Sequence, residues 1–210
     1  KIEGYAQFTP EFNKLYRQIW QPQVEHLKEN GWLNKAYCYW TDEPTAATFG
    51  FVTKTMDLIK ESCPGLRRLI TVYSEPMPTP KLYGYVDIWV PVTYSYSQEN
   101  AAERQKLGEE VWVYVCCGPH APFANLFVDH PAINHRILFW QMEKLGIQGL
   151  LYWGMTYWDY KNPWQDPASY TGPDKAGSFG NGDGNLLYPP VKEQPQEPLV
   201  QGPVNSIRIE

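Results

Sequence analysis

The sequence predicts an α/β fold, a (β/α)8 barrel of the TIM type present here as a partial barrel, on three observations. Short apolar and aromatic runs alternate with amphipathic helical stretches, the pattern of βαβ units joined in a parallel sheet. About five strands of this kind can be counted, where a closed barrel has eight. A complete barrel usually takes about 250 residues, and this chain has 210 and begins without methionine. The expectation is the later part of a barrel, with the first strands and the last helix outside residues 1–210.

Each element has its own signal. Thr9-Pro10 is an N-cap followed by proline at the first helical position, and Phe12, Leu15, Tyr16 and Ile19 recur at helical spacing. Val24 and Leu27 continue that stripe past Pro22, which should kink the helix, and Asn30-Gly31 should end it. The aromatic run Tyr37 to Thr41 reads as a strand. A helix follows over about Ala46 to Ser62, burying Phe49, Val52, Met56 and Ile59 and stopping at Pro64-Gly65. Leu69 to Tyr73 and Val86 to Val92 read as strands around a proline-rich loop. Gln98 to Leu107 is a short helix, Val111 to Cys116 a strand, Pro131 to Leu145 a helix closed by Gly146, and Gly149 to Trp153 the last strong strand. Residues 155–203, rich in Gly, Pro, Asp and Asn, form a long loop region within the single domain expected over residues 1–210.

Composition narrows the function. Nine Trp, 15 Tyr and 8 Phe are more than a packed core needs, so part of the aromatic set is expected to line a groove. A formal net charge of -5 argues against nucleic acid and anionic membrane surfaces as partners. No apolar run approaches the ~18 residues of a membrane span, and Lys1-Ile2-Glu3-Gly4 is not a signal peptide. Cys38, Cys63, Cys116 and Cys117 lack metal-ligand spacing and read as reduced, mostly buried thiols that assign no compartment. His26, His120, His130 and His135 are scattered, so no zinc site is expected.

The strongest chemical signal is Tyr37-Cys38-Tyr39-Trp40-Thr41-Asp42-Glu43-Pro44, a strand that delivers two adjacent carboxylates and is stopped by proline. Parallel α/β folds keep their chemistry at that end of their strands. Paired acids among aromatic rings suit sugar hydrolysis, since rings stack on pyranose faces and two acids can divide proton transfer from charge stabilisation. A solvated Asp-Glu-Pro turn opening a helix fits the same residues.

Further stretches carry a resemblance. They are Gly31-Trp32-Leu33 before the acidic strand, Val86-Asp87-Ile88-Trp89-Val90-Pro91, Gly108-Glu109-Glu110-Val111-Trp112-Val113-Tyr114-Val115-Cys116, Gly149-Leu150-Leu151-Tyr152-Trp153, Gly182-Asp183-Gly184-Asn185-Leu186-Leu187-Tyr188-Pro189 and Ser206-Ile207-Arg208-Ile209-Glu210. In this order and spacing the chain from Thr9 onward resembles the catalytic domain of glycoside hydrolase family 123, whose characterised activity is exo-acting β-N-acetylgalactosaminidase. The resemblance implies a (β/α) barrel, normally preceded by a β-sandwich, with Asp42 and Glu43 as the adjacent catalytic pair. It implies release of terminal N-acetyl-β-D-galactosamine by a retaining, substrate-assisted mechanism, with no metal or organic cofactor.

Substrate-binding candidates at or near strand ends are Tyr94, Trp153 and Trp158, with Tyr39 beside the acids. Asp87, inside an apolar strand, must be paired or functional. The Gly-rich run Gly177 to Gly184 reads as a flexible loop over the pocket. The expected partner is a glycan or glycoconjugate, and the open strand edges of a partial barrel offer a surface for association. A barrel glycosidase acting on another sugar and a non-catalytic glycan-binding barrel fit the same residues.

Overall fold

A computed structural model describes residues 2–158, 162–168, 180–190 and 202–209. It is a mixed α/β structure with parallel sheets, and among the described residues the strands do not close into a barrel. The chain groups into two compact units, Lys1–Pro91 with Ser95–Trp112, and Val92–Tyr94 with Val113–Glu210.

The first unit is built on a four-stranded parallel sheet, β1 (Tyr37–Tyr39), β2 (Arg67–Val72), β3 (Ile88–Pro91) and β4 (Glu110–Val111), in sequence order. Helix α1 (Pro10–Glu29) precedes these strands, α2 (Phe49–Ser62) lies between β1 and β2, and α3 (Gln98–Lys106) lies between β3 and β4. Thr9 caps α1, its hydroxyl accepting the Phe12 N–H. The helix runs on through Pro22, because Phe12 and Tyr16 before it and Val24 beyond it are all buried and outweigh one missing backbone bond. Ile19, expected on the buried stripe, is instead 48% exposed.

Helix α2 matches its pattern, with Phe49, Val52, Met56 and Ile59 all in the core. A single 3-10 turn at Ala46–Thr48 leads into it. Ile70 and Val72 of β2 and Trp89 of β3 face this helical side. By the two-residue period Leu69 and Thr71 face the other side, and full burial of each large side chain contributes about 1.5–3 kcal/mol. Trp89 also donates its indole N–H to Glu109 at 2.6 Å, while the Arg104 guanidinium lies 3.7 Å from the Tyr83 ring centre.

The strand expected over Val111 to Cys116 divides at Trp112. Its first part, β4, pairs with β3; its second, β5 (Val113–Val115), begins the second unit and pairs in parallel with β6 (Leu150–Tyr152). Helix α4 (Ile133–Leu145) lies between them in sequence and ends at Gly146, whose φ of 66° is the left-handed C-cap that glycine favours. Two short strands within and after the expected loop region, β7 (Leu187–Tyr188) and β8 (Val204–Asn205), pair antiparallel. Residues 159–161, 169–179 and 191–201 of that region lie outside the described residues. No described helix is long and apolar enough to cross a membrane.

Candidate functional site

The acidic pair lies just beyond β1, in a bend between the strand and the 3-10 turn that opens α2. Tyr39, the last residue of β1, and Thr71 of β2 converge on one oxygen of Asp42. The Tyr39 hydroxyl donates to Asp42 Oδ1 in a short contact, the Thr71 hydroxyl approaches the same oxygen at 3.0 Å, and the two hydroxyls are 2.8 Å apart. Thr71 Oγ1 also accepts the Glu43 backbone N–H at 3.0 Å. One threonine, 1% exposed, thereby fixes both the side chain of the first acid and the backbone of the second.

Glu43 has φ of 44°, a left-handed conformation that non-glycine residues adopt at a cost of order 1–3 kcal/mol. Pro44 behind it is buried and the Thr71 hydroxyl accepts the Glu43 N–H, so the surroundings impose this geometry. Partial burial, then the hydrogen bond to Asp42, push the Tyr39 phenol above its ordinary value. Tyr39 therefore remains a proton donor toward Asp42 throughout the neutral range. The cluster combines one anchored carboxylate, a second acid in a constrained backbone, and a half-exposed aromatic ring.

Asp87, expected to be paired or functional, is paired, and lies apart from the acidic pair. It immediately precedes β3, where the Arg68 side chain grips it through Nε at 2.8 Å and Nη2 at 2.9 Å, and the Arg68 N–H adds a third bond at 2.8 Å. Thr71 is in register with Val90, three residues further along β3, so this ion pair sits about 10 Å down the sheet from the Asp42 cluster. The physical reason is local: Arg68 has an almost buried side chain at the entry of an apolar strand and requires a counter-charge.

The other candidates belong to the second unit. Trp153, just after β6, is 39% exposed and donates its indole N–H to Asp183 Oδ1 at 3.1 Å. Trp158 donates to the Leu187 carbonyl at 3.0 Å, and Tyr94, 47% exposed, meets Phe123 edge to face.

Asp183 is the centre of this unit's polar structure. Only 1% exposed, it accepts from the Tyr152 hydroxyl at 2.9 Å as well as from Trp153. Burial pushes its carboxyl above the usual range, against the lowering effect of those donors. Gly184, with φ of 73°, is held by its N–H to the Tyr152 hydroxyl at 2.8 Å, and a Cβ there would stand 2.5 Å from the Trp153 ring. Arg208 ties the same turn down by donating to the carbonyls of Leu126, Gly182 and Asn185. Residues 180–184 are therefore a pinned turn with a buried acid, where a flexible loop was expected; residues 177–179 lie outside the described residues.

Thr71 was not singled out from sequence, and Asp183 and Arg208 entered only within the stretches that carry the resemblance, with no role of their own. A hydroxyl inside the apolar run Leu69 to Val72 and an acid between two glycines were the available signals, since both must find partners once buried. All four cysteines are thiols, with Cys63 buried and the other three partly buried. Burial, then the neighbouring Cys63, push the Cys38 thiol up to about 11. No group of three or more His, Cys, Asp or Glu among the described residues forms a metal site.

The description "Glycoside hydrolase 123, catalytic domain" matches residues 1–210. Among solved structures, the chain is similar to a family 123 glycoside hydrolase from Clostridium perfringens, from a structural study of glycolipid glycan hydrolysis. The TM-score is 0.71 at 18% identity, over 98% of this chain and 34% of that one. This chain thus spans about a third of that protein's length. A second similarity, to an FMN-binding beta-glucuronidase from Facaelibacterium prausnitzii L2-6, has a TM-score of 0.39 at 13% identity over 73% of this chain and 25% of that one. No curated protein matches.

Proposed function

We propose that this chain, which belongs to glycoside hydrolase family 123, carries the catalytic acids of an enzyme releasing terminal N-acetyl-β-D-galactosamine from glycans. The observation that carries the reading is the anchoring of Asp42 by Tyr39 and Thr71 with Glu43 beside it. Alternation of strand and helix along β1 to β6 supports reading the chain as part of a (β/α)8 barrel, whose strand ends hold the reacting groups.

Neighbouring carboxylates suit one division of labour. An acid and a nucleophile acting from opposite faces of a sugar need carboxyls ~5 to 10 Å apart across the scissile bond, which residues adjacent in sequence reach poorly. With the sugar's own 2-acetamido oxygen as nucleophile, both acids work from one side. Two hydroxyls meet on Asp42 Oδ1, which leaves Oδ2 to accept the acetamide N–H. As the acetamido oxygen attacks the anomeric carbon and the glycosidic bond breaks, Asp42 stabilises the positive charge spreading over the oxazolinium ring. Glu43 gives its proton to the departing oxygen, then takes one from the water that opens the ring, so the anomeric configuration is retained.

The exposed rings of Tyr39, Tyr94 and Trp153 offer faces for stacking on sugar, and Trp158 a partly buried one. The acid role is tested with Glu43→Gln in the whole enzyme. Activity on substrates with poor leaving groups should fall at least about 100-fold, and on activated aryl glycosides, which need little protonation, by less than about tenfold. Equal losses across leaving groups of widely different acidity would remove Glu43 from this role.

A further inference from the structure

We propose that Cys116 and Cys117, at the end of β5, are a reversible oxidation site that closes to a vicinal disulfide by exchange with small-molecule disulfides of the glutathione class. The two Sγ atoms stand 3.8 Å apart. A disulfide needs about 2.05 Å, so closure asks for a sulfur movement of about 1.8 Å, within reach of side-chain rotation.

The backbone under the pair is pinned. Cys116 donates its N–H to the Gly118 carbonyl at 2.9 Å, and its own carbonyl accepts from Asn125 Nδ2 at 3.0 Å. Asn125 is fully buried and is fixed in turn by the Pro119 carbonyl and the Leu126 N–H. Both cysteines are half-buried, open enough for a small disulfide, whereas Cys63 is 1% exposed. Adjacent Cα atoms are about 3.8 Å apart across a trans peptide, below the usual 4.4–6.8 Å for bridged cysteines, so the bond is strained and easily reduced again. The pair thus has the character of a labile bond and not of a permanent staple.

Hydrogen bonding to Cys117, then burial, push the Cys116 thiol above its ordinary value, so the first attack is assigned to the neighbouring Cys117 sulfur. The Cys117 thiolate attacks one sulfur of the small disulfide, breaking its S–S bond, releasing one thiolate and leaving a mixed disulfide. Cys116 then loses its proton and attacks the Cys117 sulfur, expelling the second thiolate. Overall two protein thiols are oxidised and one small disulfide is reduced to two thiols. The Cys116 sulfur lies within the field of the Asp183 carboxylate, so the bond would form beside the turn that positions Trp153.

The protein is equilibrated in glutathione buffers from fully reduced to mainly oxidised, quenched in acid, denatured, blocked with N-ethylmaleimide and digested with trypsin. The peptide 107–136 contains both cysteines and no other. In oxidising buffer at least about tenfold more of it should be lighter by two hydrogens and free of maleimide than in reduced buffer, and dithiothreitol should reverse this. The peptides bearing Cys38 and Cys63 should stay labelled. Cys116→Ser should stop at a glutathione adduct on Cys117, because the resolving sulfur is gone. Wild-type protein that carries two maleimides on 107–136 at every ratio, or that accumulates the glutathione adduct without resolving it, would overturn the proposal.

Discussion

Replacing Thr71 by valine removes one hydroxyl, keeps the volume, and takes two contacts from the acidic pair and a third from Tyr39 at once. That hydroxyl lies 3.0 Å from Asp42 Oδ1, 3.0 Å from the Glu43 nitrogen and 2.8 Å from the Tyr39 oxygen. A hydrogen bond to a charged group contributes about 1.5–3 kcal/mol and a neutral one about 0.5–1.5 kcal/mol. If the Asp42 bond is expressed mainly in the transition state, about 2–3 kcal/mol appears in the barrier, a roughly 30- to 150-fold fall in kcat. The residue is buried one position from the end of a strand, where valine is favoured, so folding stability should change by less than about 1.5 kcal/mol. The assay is release of phenolate from an aryl N-acetyl-β-galactosaminide by the whole enzyme, with urea unfolding alongside. A folded Thr71→Val protein with kcat within about threefold of wild type would refute the idea that this hydroxyl organises the acids.

Two further predictions separate architecture from chemistry. Asp87→Asn should cost about 2–3 kcal/mol of stability in urea, since it leaves the nearly buried Arg68 without its counter-charge, yet leave KM within about twofold; the half-exposure of the Asp87 side chain keeps the loss below that of a fully buried pair. Asp183→Asn should alter the pH dependence of folding. The folded carboxyl titrates above its unfolded value, so between the two values the native state holds the extra proton, and its stability contribution is present at low pH and lost as pH rises through that window. The stability of Asp183→Asn relative to wild type should therefore increase from pH about 4 upward; a difference flat with pH, measured by urea titrations, would show that Asp183 does not titrate abnormally.

Much of the scaffold is legible because its signals are local. The stripe Phe49, Val52, Met56 and Ile59 names the buried face of α2, Thr9 and Gly146 mark a helix start and a helix end, and the aromatic run before Asp42 marks a strand with acids beyond it. What escapes a sequence reading depends on partners distant in the chain. Periodicity puts Thr71 on one face of β2 but cannot say that residues 39, 42 and 43 meet it there. Arg68 and Asp87 each look like an isolated charge until strand register brings them level. Trp112 lies in an unbroken strand pattern, and its division of that run follows from the different neighbours of β4 and β5. Asp183 is hidden by its flanking glycines, which signal a loop by composition while serving close approach to Trp153.

The central claim is that the substrate's acetamide oxygen, and no carboxylate of the enzyme, attacks the anomeric carbon. The most direct measurement is the rate of the whole enzyme on aryl β-galactosaminides whose N-acetyl group carries none, one, two or three fluorines. Each fluorine withdraws electrons from the attacking oxygen, so kcat/KM should fall steeply along the series, by at least about tenfold per fluorine or 1.4 kcal/mol in the barrier. A flat response, or a glycosyl ester trapped on Asp42 or Glu43, would contradict the account and place the enzyme among ordinary two-carboxylate retaining glycosidases.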